Sequence, residues 1–246
     1  MPDALHLQME EARAGLYEFF SQVLLQEPTE TLLRRIMSEQ VAGPLQEIFA
    51  DPGYRRELEQ LRLDFREGLL TEELASLDFE ALLRIPSSGY LSPYESVYRP
   101  QGADGSASAP RGFLCGAATL TVERLYLQEG LEPVPEFTEL PDHAGVELEF
   151  MAYLCRKTAA ALKDGHPQLA AEYQGKQRQF LLNHLSPWVA RLAQRLETES
   201  RTSFYRFLGI FLRLFLQLED DLYGQWEGER AARTPKADHQ GQEMRP

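Results

Sequence analysis

Residues 139–155, ELPDHAGVELEFMAYLC, gather Asp142, His143 and the glutamates Glu139, Glu147 and Glu149 at the head of a helical pattern. Such side chains hold metals, move protons or meet cationic partners. His143 and Glu147 are one helical turn apart and on neighbouring faces, so they could share a ligand or bond each other. A metal centre needs three or four converging ligands, and the chain has no HExxH, no repeated ExxH and no CxxC. Acid-base catalysis needs a partner nucleophile or substrate pocket, yet GxSxG, P-loop and GxGxxG patterns are all missing. Two readings follow. One is a binding protein without turnover, with no catalytic residue, metal or cofactor; the alternative is a helical metal-dependent hydrolase built on Asp142, His143 and Glu147. His166 and His184 read as helix-start and helix-end residues rather than ligands.

A second constellation, GYLSPYESVYRP at residues 89–100, sets Tyr90, Tyr94 and Tyr98 around Pro93 and Glu95. Rings beside a proline present flat apolar area with a polar tip, which suits gripping a peptide. They also serve simply to pin a loop to helices.

The elements that must position these residues are helical. Apolar residues recur at three- and four-residue spacing, and no run alternates over strand length. The expected architecture is all-α, a single globular bundle of about ten helices with one long irregular loop at about 84–112. Helices are expected near 4–26, 29–40, 54–67, 71–83, 113–129, 142–163, 167–184, 187–199 and 201–223. The first should bury Leu5, Met9, Ala12, Leu16, Phe19, Phe20, Val23 and Leu24. Thr29 and Thr71 read as N-caps, "AGP" and "DPG" as turns, and Asp142 as the cap of its own helix, along which Val146, Phe150 and Leu154 face the core. The helical domain should cover 1–223, with a hinge possible at 100–112 and a flexible tail at 224–246.

Composition narrows the partners. The 246 residues carry 25 Lys and Arg against 38 Asp and Glu, a net charge of −13, which repels nucleic acid and anionic lipid and favours a basic ligand. Only Cys115 and Cys155 are present, too few for a disulfide scaffold, and a reduced cytoplasmic setting fits. The N-terminus shows no secretory signal. FYRFLGIFLRLFLQL, residues 204–218, is short for a membrane span and carries Arg206 and Arg213, so it reads as a buried helix.

Three stretches in register resemble the TorD/DmsD/NarJ-type cytoplasmic chaperones that mature molybdenum oxidoreductases. Glu139-Leu140-Pro141-Asp142-His143 resembles that family's E-x-P-D-H signature, and SPYESVY its loop motif. NHLSPWVARLAQRLETESRTSFYRFLGIFLRLFL, from Asn183 to Leu216, resembles its His-Leu-x-x-Trp and last core helix. The resemblance implies a helical chaperone that binds the twin-arginine signal peptide of the catalytic subunit of a molybdopterin-dependent oxidoreductase. It would hold that peptide back from export until the cofactor is inserted. Phe79, Leu82, Leu83, Pro93, Tyr94, Asp142 and His143 match the family's peptide-binding region, and Glu95, Tyr98 and Glu147 join them as neighbours. Tyr94 stands where some members carry Trp, and Leu83 where Phe is common. A monomer is expected, with a domain-swapped dimer possible through the hinge.

Overall fold

The computed structural model describes residues 2–99, 114–134 and 137–233. Among the described residues eleven α-helices run α1 Pro2–Leu25, α2 Glu30–Met37, α3 Glu39–Ile48, α4 Pro52–Arg66, α5 Glu72–Phe79, α6 Glu95–Tyr98, α7 Ala117–Gln128, α8 Ala144–Lys163, α9 Pro167–Phe180, α10 Ser186–Glu199 and α11 Ser203–Arg233. Single π-helical turns, Glu80–Arg84 and Leu181–Leu185, prolong α5 and join α9 to α10. Among the described residues there is no strand, only one bridge between Tyr94 and His143. The all-α expectation holds.

Local chemistry explains several helix starts. Thr29 and Thr71 accept hydrogen bonds from the backbone N–H of Leu32 and Leu74, each at 3.2 Å, as N-caps should. The "DPG" stretch is no turn: Asp51 caps Tyr54 N–H at 2.9 Å and Pro52 opens α4. Nor is "AGP", which lies inside α3 with Ala42 buried and Pro44 outward. The loop expected to begin at 84 is interrupted by α6, and α11 continues past 223 to Arg233. The proposed hinge at 100–112 lies outside the described residues, apart from its flanks, as do residues 234–246.

α11 is the axis of the core. Its Phe207, Phe211 and Phe215 are buried, meeting Tyr54 of α4 and Tyr17 and Phe20 of α1 at ring-centroid distances of 4.7–5.6 Å. Each buried Phe contributes about 1.5–3 kcal/mol. The stretch 204–218 is thus core, and no helix among the described residues is long and apolar enough to cross a membrane. α10 lies against α11 so closely that a Cβ on Gly209 would stand 2.5 Å from Glu197 N and 2.6 Å from Ala193 O.

α1 packs mainly along α8, but not by the expected face. Leu5 and Ala12 are exposed and Met9, Leu16 and Phe19 half-buried, whereas Glu10, Arg13, Ala14, Tyr17 and Ser21 face inward with Phe20, Val23 and Leu24. The reason is a buried polar network. The Arg13 guanidinium donates to both carboxylate oxygens of Glu219 at 2.7 and 2.6 Å, to Glu10 at 2.9 Å, to Gln177 Oε1 at 2.7 Å and to Tyr223 at 2.6 Å. Tyr17 adds a donor to Glu219, and Gln177 ties Glu10 to Thr158. Four helices, α1, α8, α9 and α11, are thereby fixed in register.

Candidate functional site

Backbone pairing builds the site. Glu95 N–H donates to Asp142 C=O at 2.9 Å and Ala144 N–H to Pro93 C=O at 2.7 Å, stitching the loop to the head of α8. Pro93 is buried in this seam. Asp142 does not cap its own helix: its Oδ2 accepts from Ser96 N–H at 2.9 Å, satisfying the start of α6 across the seam. His143 takes the cap of α8 instead, its Nδ1 accepting from Gly145 N–H at 3.0 Å. The two motifs found separately in the sequence therefore complete each other's helices.

Below the seam lies a group of buried charges. Glu95, Asp142 and Glu147 are each 0% exposed. Glu95 bonds the Arg99 guanidinium, 2.8 Å from its Nε, through one oxygen, and His184 Nδ1 at 3.0 Å through the other. Arg99 also reaches Asn183 C=O, tying α6 to the π-turn. Trp188 Nε1 donates to Glu147 Oε2 at 3.1 Å, and the Trp188 ring packs on Tyr98, which is half-buried. Burial first, and then the Glu95 charge, push the Glu147 carboxyl well above the usual carboxylate range. Glu147 thus takes the proton of the pair. Its Oε1 finds no donor, which suits an oxygen that carries the proton itself and offers it to Glu95.

His143 is buried beside Tyr94, ring edge to face at 5.2 Å. Burial lowers its pKa from 6.5 to about 4, against the opposing pull of Glu139 and Asp142, so the ring is neutral. The Tyr94 hydroxyl donates to Glu139 Oε2 at 2.5 Å, and burial followed by this bond raises its pKa. Tyr94 and Glu139 are both half-buried and Glu149 is exposed, so solvent reaches this end of the seam, as it also reaches Tyr90, Tyr98 and Arg99.

Asp142, His143 and Glu147 do not converge on one point. One serves α6, one caps α8, and the third faces Trp188 and Glu95, so His143 and Glu147 share neither a ligand nor the expected bond. Among the described residues no three His, Cys, Asp or Glu side chains are arranged to hold a metal ion. Phe79, Leu82 and Leu83 are 1–3% exposed and belong to the core, where Leu82 C=O accepts Leu91 N–H at 2.7 Å and anchors the loop. His184 and Arg99 were missed as site residues. The Glu95–Arg99 spacing of four is a legible sign of their ion pair, and His184 stands in the His-Leu-x-x-Trp match, but nothing local shows that a π-turn brings it to Glu95.

Comparison with known proteins agrees on the family. The chain is 45% identical over 64 residues to the chlorate reductase assembly chaperone protein of Ideonella dechloratans, covering 26% of this chain and 32% of that one. It is 41% identical over 68 residues to the selenate reductase assembly chaperone protein of Thauera selenatis, covering 27% and 34%. These matches span about a third of each relative. The chaperone protein TorD of Colwellia psychrerythraea is 26% identical over 219 residues, 80% of this chain and 86% of that one. The family model described as nitrate reductase delta subunit matches residues 50–194, taking in the loop, the seam and α8 to α10. Because that match covers more than half of the molecule and joins both motifs, the chain belongs to the nitrate reductase delta subunit family, the TorD/NarJ family.

Proposed function

We propose that the chain is a cytoplasmic maturation chaperone for a molybdopterin-dependent oxidoreductase, binding the twin-arginine signal peptide of the catalytic subunit until the cofactor is in place. Family membership, with relatives named as assembly chaperones, supports the chaperone role. The observation that carries the peptide reading is the solvent-reachable end of the seam, where Glu139 accepts from Tyr94. A guanidinium seeks a carboxylate in bidentate geometry, and an acidic surface draws a basic peptide in. Glu139, with Glu149 near it in sequence, offers such carboxylates. Asp142, His143, Glu95 and Glu147 act as the buried frame that holds Tyr94 and Glu139 in place. On this reading there is no turnover and no bound nucleic acid, and the chain is a monomer with exchange through the 100–112 segment as its route to a dimer.

Calorimetry with a synthetic peptide carrying two arginines and an apolar run tests the reading. Saturable binding is expected, weakened by salt, by Glu139→Gln and by replacing both arginines with glutamine, and weakened less by lysine. A peptide that gives no heat and no competition at any salt concentration overturns it.

A further inference from the structure

Four elements meet around Glu95, and they are anchored very unequally. Glu95 opens α6, a helix of four residues, and Tyr94 precedes it directly. Glu147 faces it from α8, which is twenty residues long and packed along α1 and α9. His184 meets it from the π-turn, and Trp188 of α10 holds Glu147 from the other side. α6 itself is fastened by Glu95 N–H on Asp142 C=O, Ser96 N–H on Asp142 Oδ2, the Arg99 guanidinium on Asn183 C=O and the Tyr98 ring on Trp188.

The charges gathered there do not balance. Glu95, Asp142 and Glu147 are completely buried, and the Arg99 guanidinium that faces them is engaged with one oxygen of Glu95. His184 occupies the other oxygen at 3.0 Å, and Tyr126 of α7 is acted on by all three carboxylates. His143 turns its Nδ1 to Gly145 N–H, and farther out Glu139 and Arg84 act on His143. From α1 the contact is Leu25 on Gly145, and from α9 it is Phe180 on His184, neither of them charged. Glu147 Oε1 and Asp142 Oδ1 receive no hydrogen bond among the described residues. Two carboxyls in hydrogen-bonding contact in a dry interior hold one proton between them, because like charges that close do not both ionise.

Resting on the signal-peptide reading above, we propose that the seam is a proton-dependent clasp: it grips the peptide while Glu95 and Glu147 share one proton and loosens when that proton leaves. Ionising Glu147 sets two like charges against each other across the contact of α6 with α8. Packing on α1 and α9 holds α8, so the displacement falls on the short α6. Tyr94, joined to Glu95 by one peptide bond, moves with it, and so does the hydroxyl that bonds Glu139. Rising pH therefore weakens the grip. By linkage, a peptide that binds the closed seam at high pH draws a proton in with it.

The test is calorimetry with an acetylated peptide of two arginines and an apolar run. It lacks lysine and histidine, so its own charge is constant between about pH 6 and about pH 9. The unaltered chain should lose at least about fivefold in affinity across that range. Glu147→Gln, which keeps the hydrogen bonds of the protonated acid, should vary by less than about twofold. His184→Gln should keep the loss. At the alkaline end the heat of binding to the unaltered chain should depend on the buffer in the sense of proton uptake, a measurement that involves no variant. Affinity independent of pH in the unaltered chain, without proton uptake, overturns the clasp and leaves the signal-peptide reading standing. So does an equal loss in Glu147→Gln, or a loss abolished only by His184→Gln, which assigns the proton elsewhere. A chain that binds the peptide at no pH overturns both.

Discussion

Two regions of this molecule bury carboxylates completely and treat them in opposite ways. At Arg13, the carboxylates of Glu10 and Glu219 meet one guanidinium and a ring of neutral donors, and both Glu219 oxygens are bonded. Under the seam, Glu95 and Glu147 lie together, the pair relies on a retained proton, and Asp142 Oδ1 and Glu147 Oε1 receive no hydrogen bond. The first arrangement has one favourable state, with the charges opposed and the geometry filled. The second depends on where a proton sits. A closed network holds one arrangement of charge; the other changes with pH.

The comparison breaks most visibly at Arg13. Arg13→Ala leaves two buried carboxylates facing each other and should cost about 3–5 kcal/mol in urea unfolding.

Next is the acid limb of stability. His143 has a folded pKa of about 4 against 6.5 unfolded, so its contribution is complete above pH 6.5 and is lost as pH falls through 4. That is worth about 3 kcal/mol. His143→Asn, which keeps a cap for Gly145 but cannot titrate, should flatten the unfolding free energy over this range. Glu147 runs the other way: a carboxyl with a raised folded pKa contributes most at low pH, and that contribution drains as pH rises.

Making one substitution in both places sharpens the contrast. Glu219→Gln turns an amide N–H₂ toward Arg13 and Tyr17 and should cost about 2 kcal/mol. Glu147→Gln mimics the protonated acid, donating to Glu95 and accepting from Trp188, and should cost under about 1 kcal/mol while removing the loss of stability that Glu147 causes as pH rises. Equal losses in the two variants would show that Glu147 is ionised. The smallest effect belongs to the surface. Glu199→Gln breaks an i, i+4 pair with Arg195 whose side chains are 40% and 37% exposed, and should shift the urea midpoint by no more than about 0.5 kcal/mol allows.

Much of the fold could be read from the chain, and for local reasons. Threonine caps and the three-to-four spacing of apolar residues are properties of neighbouring positions, so Thr29, Thr71 and the α8 core residues Phe150 and Leu154 stood out. What stayed hidden depends on distant partners. Patterning treats charge as outward, so it turned α1 away from Glu10 and Arg13, whose partner Glu219 lies at the other end of the chain. Asp142 precedes a helix and was expected to cap it, because nothing nearby reveals that α6 needs a donor satisfied. Phe79, Leu82 and Leu83 matched a motif, but a motif does not say which way a side chain points. The two motifs do meet in one seam, but Phe79, Leu82, Leu83, Glu95, Asp142, His143 and Glu147 are buried, and burial is what spacing along the chain does not reveal.

Gly209 extends the seam's reach. Because α10 and α11 touch backbone to backbone there, any side chain at this position wedges the two helices apart. The helix displaced carries Trp188, and with it the hydrogen bond to Glu147. Replacements of this glycine should therefore lower stability in urea unfolding, as changes at Trp188 and Glu147 do. Such variants would behave as partial, temperature-sensitive versions of a seam defect, and because the atoms met are backbone, truncating the facing side chains of α10 should not rescue them.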